Sequence, residues 1–304
     1  MSRIPEDFYE KMVKAYAPRY GSQVEEWVQS LPELIARSEA QFGIKAEEPF
    51  GNLSFNYIAR GSNGEGRPIV LKLALEKEDL AKEMRTLQAY AGRGAVQVLG
   101  TDDELGAAVL ERAIPGTPLS ATLDDNEATE VFCEVFERLR HPFNGEVEHF
   151  QTMRRWFEGF VRYRSRYGTE GPLPEQWVAR AEETLEELLA TTTETVLIHG
   201  DLHHENILRQ GDGAWAVIDP KGIVGDIYFE TLQYLLNYVD RGGDPDSVLR
   251  SRVAIMAERL DLDKRRIAQW GIARGVLEAC WAIEDGADWR EGIEISERFA
   301  RLLD

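Results

Sequence analysis

Apolar residues recur along the chain at two spacings, one typical of helices and one typical of strands. The helical spacing predicts helices over residues 24–41, which Gly43 ends, and over residues 76–91, which Gly92 ends. Short apolar runs between turn residues predict strands. These strands lie at 67–73, within 105–116, at 195–198 and at 214–218. Further helical repeats cover about 150–167, 174–190, 234–240 and 274–285.

Two of these strands lead into polar residues that can carry chemistry. The segment His199-Gly-Asp-Leu-His-His-Glu-Asn206 follows the first, and Asp219 follows the second. We expect the two strands to deliver two carboxylates and one amide, those of Asp201, Asn206 and Asp219, to the same edge of the fold.

Phosphoryl transfer explains these residue types. A hydroxyl that attacks the terminal phosphate of ATP needs an acceptor for its proton, and Asp201, five residues before Asn206, is the candidate base. Mg²⁺ prefers hard oxygen donors and keeps several waters. Asn206 and Asp219 are therefore the candidate ligands of Mg²⁺.

A transition-metal site is the alternative interpretation of the same segment. His199, Asp201, His203, His204 and Glu205 are all residue types that bind such metals. The cluster lacks thiolates and lacks the helical spacing of paired histidines, so phosphoryl transfer is favoured. We expect His199 and His204 to be structural, with imidazoles hydrogen-bonded to the backbone around a tight loop.

The motifs together resemble the aminoglycoside phosphotransferases, which are small-molecule kinases with a protein-kinase fold. The loop HGDLHHEN matches that family's HGDLHxxN, and Ile218-Asp-Pro-Lys-Gly-Ile-Val-Gly-Asp226 is similar to its streptomycin 6-kinase and hydroxyurea phosphotransferase branch. The match extends from about residue 25 to about residue 290. The resemblance implies that Asp226 braces the catalytic loop.

The resemblance also implies an ATP site in the first part of the chain. Lys72 occupies a polar position in the strand at 67–73 and matches the lysine that holds the phosphates of ATP. The next helix carries Glu83 on the same side as Leu80 and Leu87, so we expect Glu83 to form an ion pair with Lys72.

Two further segments are assigned to the nucleotide by the same resemblance. The first is a phosphate-covering loop with a single glycine, and the second is the hinge, where main-chain groups of Glu111 and Ala113 would bind adenine. The loop residues are Gly51, Asn52, Ser54 and Phe55.

A chain of 304 residues exceeds the usual size of a single core, so two lobes are expected. The hinge places residues 1–113 in an N-lobe and residues 114–304 in a C-lobe. We expect an α+β fold of the protein-kinase type, with a small antiparallel sheet in the N-lobe and mostly helices in the C-lobe.

The formal charge is −19, from 54 acidic and 35 basic residues, which disfavours nucleic acid as a partner. No apolar run suggests a signal peptide or a membrane span, and Cys133 and Cys280 are far apart. We expect a cytoplasmic protein with reduced thiols, without an obligate protein partner.

The acceptor of the phosphoryl group is the second substrate that the resemblance implies. By the resemblance it binds between the catalytic loop and the C-terminal helices, where Glu278, Trp281 and Asp285 share a helical face and could hold a cation. The expected activity is ATP-dependent phosphorylation of an alcohol group on a small, cationic, streptomycin-like molecule. Hydroxyurea, another metabolite, or a kinase-like protein that binds nucleotide without turnover remain alternatives.

Overall fold

The computed structural model describes residues 4–51, 53–121, 123–140, 143, 145–211, 213–241 and 243–303. The α-helices are α1 Glu6–Tyr20, α2 Gln23–Phe42, α3 Lys77–Tyr90, α4 Asp125–Leu139, α5 Met153–Trp156, α6 Glu158–Tyr167, α7 Glu175–Thr191, α8 Thr231–Leu236, α9 Pro245–Leu260, α10 Lys264–Glu284 and α11 Arg290–Ala300. The strands are β1 Ile44–Pro49, β2 Asn56–Asn63, β3 Pro68–Ala74, β4 Val98–Asp102, β5 Ala107–Glu111, β6 Pro115–Pro118, β7 Gln151–Thr152, β8 Thr195–Ile198, β9 Ile207–Gln210, β10 Ala214–Val217 and β11 Ile223–Asp226.

The chain divides into two compact units. The first comprises Met1–Gly116 and Arg209–Ile218, and the second comprises Thr117–Leu208 and Asp219–Asp304. The sequence-based boundary after residue 113 did not assign Arg209–Ile218 to the first unit. That segment joins it because Val217 exchanges main-chain hydrogen bonds with the loop after α3, at 2.8 Å and 3.1 Å.

The first unit is built on an antiparallel five-stranded sheet in the order β1-β2-β3-β5-β4. The amphipathic helix α2 ends at Gly43, which adopts the left-handed conformation with φ 62°. Its buried residues Leu31 and Ile35 pack in one core with Phe8 and Met12 of α1. The sequence pattern predicted α2 but not α1.

The second unit is mostly helical. Its sheet has the order β7-β11-β8, in which β11 is parallel to β7 and antiparallel to β8. Close approach of α10 and α11 requires small residues, because a Cβ at Gly275 would lie 2.6 Å from the main-chain oxygen of Gly292. A third sheet has the order β10-β9-β6, and its strand β10 belongs to the first unit.

Three details differ from the predicted elements. The helix predicted over 150–167 is interrupted at Phe157, between α5 and α6. The helix predicted over 234–240 begins earlier, at Thr231, and ends at Leu236. The strands β8 and β10, which were expected to share one edge, belong to different sheets.

Among the described residues, no helix is both long and apolar enough to span a bilayer. Both cysteines, Cys133 and Cys280, are buried and free.

Candidate active site

The first unit contains a buried lysine–glutamate pair. Lys72 lies in β3, opposite Ile58 of β2 and Ala108 of β5. Its Nζ lies 2.7 Å from Oε2 of Glu83 in α3, and the two side chains are only 3% and 10% exposed. Removing one partner of such a buried pair typically costs about 3–5 kcal/mol. The ion pair predicted from the sequence is therefore present and holds the ammonium in one orientation.

The turn between β1 and β2 contains the residues assigned to the phosphate-covering loop. Ser54 and Phe55 are exposed, and the ring of Phe55 meets the edge of Tyr16 at 5.9 Å. A Cβ at Gly51 would meet no atom within 4 Å, so packing does not require glycine there. Asn52 lies outside the described residues. A nucleotide contact by this turn stays a prediction.

The segment assigned to the hinge follows β5. The main-chain N–H of Glu111 donates to the carbonyl of Gln97 at 2.8 Å, so an adenine contact at this residue has to use its carbonyl. The Glu111 carboxylate accepts hydrogen bonds from Gln97 N and Gln210 Nε2, at 3.1 Å and 2.8 Å. Ala113 is buried, and its carbonyl oxygen lies close to Gly116, where a Cβ would come within 2.8 Å of it.

In the second unit, residues 199–206 follow β8 and form the catalytic loop. This loop turns sharply at Gly200, where φ is 77°. A Cβ there would lie 2.5 Å from Cδ1 of Ile223, so the backbone angle and the packing both require glycine. The carbonyl of His199 accepts hydrogen bonds from the N–H groups of Lys221 and Gly222, at 2.7 Å and 3.3 Å. These bonds, rather than a shared sheet edge, join the loop to the segment that follows β10.

A buried carboxylate that the sequence analysis missed holds the same loop. Glu230 is 4% exposed and accepts hydrogen bonds from the main-chain N–H groups of His199, Gly200 (3.2 Å) and Leu202. Burial raises the pKa of Glu230 to about 8, against the opposing effect of these N–H donors. Its signal in the sequence is a single acidic residue within the apolar stretch 227–236.

Asp226, which was expected to brace the catalytic loop, has other partners. Its carboxylate pairs with the guanidinium of Arg266 and accepts hydrogen bonds from Thr192 Oγ1 and Tyr228 N, both at 3.0 Å. The antiparallel register places Asp226 opposite Thr195, at the end of β8 remote from the loop. The prediction for Asp226 was therefore wrong, and Glu230 performs that function.

Asp201 presents a partly buried carboxylate beside several charges. Its Oδ2 lies 3.8 Å from Lys221 Nζ, and its Oδ1 lies 3.7 Å from His203 Nε2. Burial raises the pKa of Asp201 above its usual value, and the charge of Asp219 adds to that effect. Lys221, His203 and Arg274 oppose it. A carboxylate in this setting can accept a proton from a bound hydroxyl.

The orientation of Asn206 suits a metal ligand. Its Nδ2 donates to the main-chain carbonyl of Asp201 at 2.9 Å and lies 3.2 Å from His203 Nε2. Oδ1 takes no part in these contacts, so it can serve as an oxygen donor to a metal ion. Asp219 is close enough to Asp201 to influence its pKa. One amide oxygen and one carboxylate are donors that fit Mg²⁺, which completes its octahedron with water and phosphate oxygens.

The histidines of the loop do not converge on one point. His199 is buried and its Nδ1 accepts a hydrogen bond from Asp201 N at 3.3 Å. His204 is buried and stacked on Tyr234 at 4.1 Å, and burial lowers the pKa of His204 to about 4. No group of three or more histidine, cysteine, aspartate or glutamate side chains placed to hold a metal is found in the described part of the chain.

The face of α10 assigned to the acceptor holds a cation of its own. Glu278 Oε1 lies 2.5 Å from the guanidinium of Arg274, which also lies 4.9 Å from the ring centre of Trp281. The acid and the indole therefore bind Arg274 instead of presenting an open site for an external cation. Asp285 is exposed at the end of the helix, and its carboxylate forms no ion pair with any of the described residues.

Solved structures identify the fold. One that resembles this chain is a thermostable mutant of aminoglycoside phosphotransferase APH(4)-Ia in ternary complex with ADP and hygromycin B, with a TM-score of 0.61 and 14% identity over 90% of this chain and 97% of that one. This likeness shows the protein-kinase-like fold and confirms the predicted fold class, an α+β fold with a small antiparallel sheet and a mostly helical remainder.

Sequence relatives identify the class, which is the small-molecule kinases. Streptomycin 6-kinase of Streptomyces griseus is 27% identical over 287 residues, which cover 90% of each chain. Streptomycin 3''-kinase of Klebsiella pneumoniae is 30% identical over 227 residues, which cover 72% of this chain and 81% of the relative.

The family is identified over most of the chain. Residues 48–286 match the aminoglycoside/hydroxyurea antibiotic resistance kinases, and the chain belongs to that family. It is therefore a small-molecule kinase, a phosphotransferase with a hydroxyl group as acceptor.

The role of Glu230 can be tested by unfolding. Unfolding is measured above the pKa of Glu230, which is about 8, so that the parent has an ionised carboxylate. The Glu230→Gln substitution then leaves one acceptor oxygen where the carboxylate offers two, so at least one buried main-chain N–H loses its partner. We expect the free energy of unfolding in urea to fall by about 1–3 kcal/mol. The matched control is Glu186→Gln, whose exposed carboxylate pairs with Arg154 at 3.1 Å and contributes little. A Glu230→Gln protein as stable as the parent would contradict this role.

Proposed function

We propose that the chain transfers the γ-phosphate of ATP to a hydroxyl oxygen of a small aminoglycoside-like molecule. The observation that carries the proposal is the arrangement of Asp201, Asn206 and Asp219 around a loop fixed by Glu230. The second unit holds a base, an amide oxygen and a second carboxylate in this loop and the segment beside it. Within the first unit, Glu83 orients the ammonium of Lys72.

In the proposed reaction, Asp201 accepts the proton of the acceptor hydroxyl. The oxygen of that hydroxyl forms a bond to the γ-phosphorus, and the bond from the γ-phosphorus to the oxygen that bridges to ADP breaks. The products are a phosphate ester and ADP, and the proton passes from Asp201 to solvent. Little covalent chemistry is required of the protein, so positioning and charge account for most of the rate.

Asn206 and Asp219 would hold Mg²⁺ in this reaction. When bound, Mg²⁺ neutralises charge on the phosphate oxygens. The contribution of the chain is to fix both donors: Asn206 through its hydrogen bond to Asp201, and Asp219 through a backbone in the left-handed region, with φ 61°. Lys72, oriented by Glu83, would contact the nucleotide phosphates.

The streptomycin kinases among the relatives support a cationic, polyhydroxylated acceptor. The ion pair of Glu278 with Arg274 favours a second candidate, an uncharged acceptor such as hydroxyurea, because the acidic side chain expected to bind an amine is already neutralised. The family description includes both types of compound.

A substrate screen separates these candidates. ATP consumption is measured with streptomycin, hygromycin B, hydroxyurea and a neutral sugar alcohol, and each product is analysed by mass spectrometry. We expect streptomycin to gain one phosphate. Phosphorylation of hydroxyurea alone would replace the cationic acceptor with the uncharged one, and no phosphorylated product from any of the four would count against the proposed function.

The role of Asp201 predicts a loss of turnover without a loss of nucleotide binding. For Asp201→Asn we expect kcat to fall by about 10²- to 10⁴-fold, the usual contribution of general-base catalysis, at unchanged ATP affinity. Asp261→Asn is the control, because Asp261 is exposed in the left-handed conformation that asparagine tolerates. Turnover of Asp201→Asn within a few-fold of the parent contradicts the assignment.

The proposed roles of Asp219 and Asn206 as Mg²⁺ ligands predict which substitution weakens ATP binding more. Asp219→Asn keeps the left-handed backbone but removes a charge, whereas Asn206→Ala removes only a dipole. We therefore expect Asp219→Asn to weaken Mg²⁺-dependent ATP binding more than Asn206→Ala, with little change for either without Mg²⁺. Calorimetric titration of ATP with and without MgCl₂ measures this. If both variants bind Mg²⁺–ATP as the parent does, neither residue is a ligand.

A further inference from the structure

Lys221 is a charged residue that the proposed mechanism does not yet use. It follows Asp219 by two residues, and its main-chain N–H donates to the carbonyl of His199 at 2.7 Å. Its Cβ also lies 3.5 Å from where a Cβ on Gly200 would be. The backbone of Lys221 is thus fixed against the catalytic loop, so its side chain starts from a defined position.

The ammonium of Lys221 lies near the carboxylate of Asp201 but does not form a hydrogen bond with it. Nζ lies 3.8 Å from Asp201 Oδ2, which is close enough for a charge interaction and too long for a hydrogen bond. The side chain is 53% exposed, in contrast to the 3% of Lys72. Its three N–H donors make no hydrogen bond to another of the described residues, so they are accessible to an incoming ligand.

The other cations near Asp201 are less suited to contact a substrate. Arg274 is buried, and its guanidinium pairs with Glu278 at 2.5 Å. His203 Nε2 lies 3.2 Å from the side-chain nitrogen of Asn206. Lys221 is the exposed full charge among the cations that influence Asp201. As a surface ion pair alone, its contact with Asp201 would add little stability.

The position of the base determines where the phosphoryl group passes. A reacting hydroxyl lies within about 2.6–3.2 Å of its base, and its oxygen lies about 3–3.5 Å from the phosphorus before attack. The phosphorus therefore passes within about 6–7 Å of the Asp201 carboxylate. The ammonium of Lys221 lies 3.8 Å from that same carboxylate, on an exposed and flexible side chain that can turn toward the phosphate. Negative charge is spread over those oxygens during transfer, and lysine binds phosphate as a point charge.

We propose that Lys221 is a further catalytic residue, which contacts the phosphoryl group during its transfer from ATP to the acceptor. This proposal rests on the proposed function. While the acceptor oxygen bonds to phosphorus and the bond to ADP breaks, the ammonium neutralises charge on the non-bridging oxygens and keeps its own protons. Lys221 also offsets the repulsion between the Asp201 carboxylate and the approaching phosphate.

The test compares Lys221→Met with Lys221→Arg, which keeps the charge, and with Lys264→Met, which removes an exposed lysine at the start of α10. Turnover with streptomycin is measured on the alkaline plateau of the pH profile, where Asp201 is ionised in every variant. Affinities are measured for Mg²⁺–ATP and for ADP with Mg²⁺ and aluminium fluoride, a mimic of the group in transfer.

For Lys221→Met we expect kcat to fall by about 10²- to 10³-fold, as for loss of one group that stabilises transition-state charge. Affinity for the aluminium fluoride complex should fall by a similar factor, and affinity for ATP by only a few-fold. Lys221→Arg should recover part of both losses, and Lys264→Met should match the parent.

Two outcomes would overturn the proposal. If Lys221→Met keeps the turnover of the parent on the alkaline plateau and only the acid limb of its pH profile shifts, Lys221 is merely a counter-ion of Asp201. If Lys221→Met loses affinity for Mg²⁺–ATP and for the ADP–aluminium fluoride complex by the same factor, Lys221 binds the ground state as well as it binds the group in transfer. If the parent enzyme phosphorylates none of the tested acceptors, the proposed function fails, whereas the two binding measurements still decide the role of Lys221.

Discussion

The conformation of the catalytic loop depends on one buried carboxylate. Glu230 accepts hydrogen bonds from consecutive main-chain N–H groups at His199 and Gly200, and the carbonyl of His199 accepts from the residues that follow Asp219. A single peptide segment is thus held on both sides by groups distant in sequence. Since burying these main-chain groups without partners would be costly, the loop has its shape before any ligand binds.

Parts of the site that depend on local spacing were predictable from the sequence. Lys72 and Glu83 are eleven residues apart, on a strand and the helix that follows it. The resemblance identified Lys72, and helical periodicity then identified Glu83 as its partner. Asp201 and Asn206 lie on one loop, and their spacing is that of the kinase catalytic loop. The helix α2 was predicted for the same reason, because a long amphipathic repeat ends at a left-handed glycine.

Parts that depend on tertiary contacts were not predictable. Glu230 is thirty-one residues from His199, and no local pattern connects them. Asp226 was assigned to the loop by resemblance, but the register of β8 and β11 places it at the other end of the strand. Glu278 and Trp281 share a helical face as expected, yet Arg274, one turn earlier, binds both. A helical pattern identifies the face but not the partner.

Amide hydrogen exchange of the ligand-free protein tests most directly whether the loop is preformed. The N–H groups of His199 and Gly200 are the informative probes, because both donate to the buried side chain of Glu230. We expect them to exchange as slowly as amides in the central strand β3, through global unfolding. Exchange as fast as in the exposed turn at Gly51 would show that the loop opens locally, and would contradict a catalytic loop fixed by Glu230.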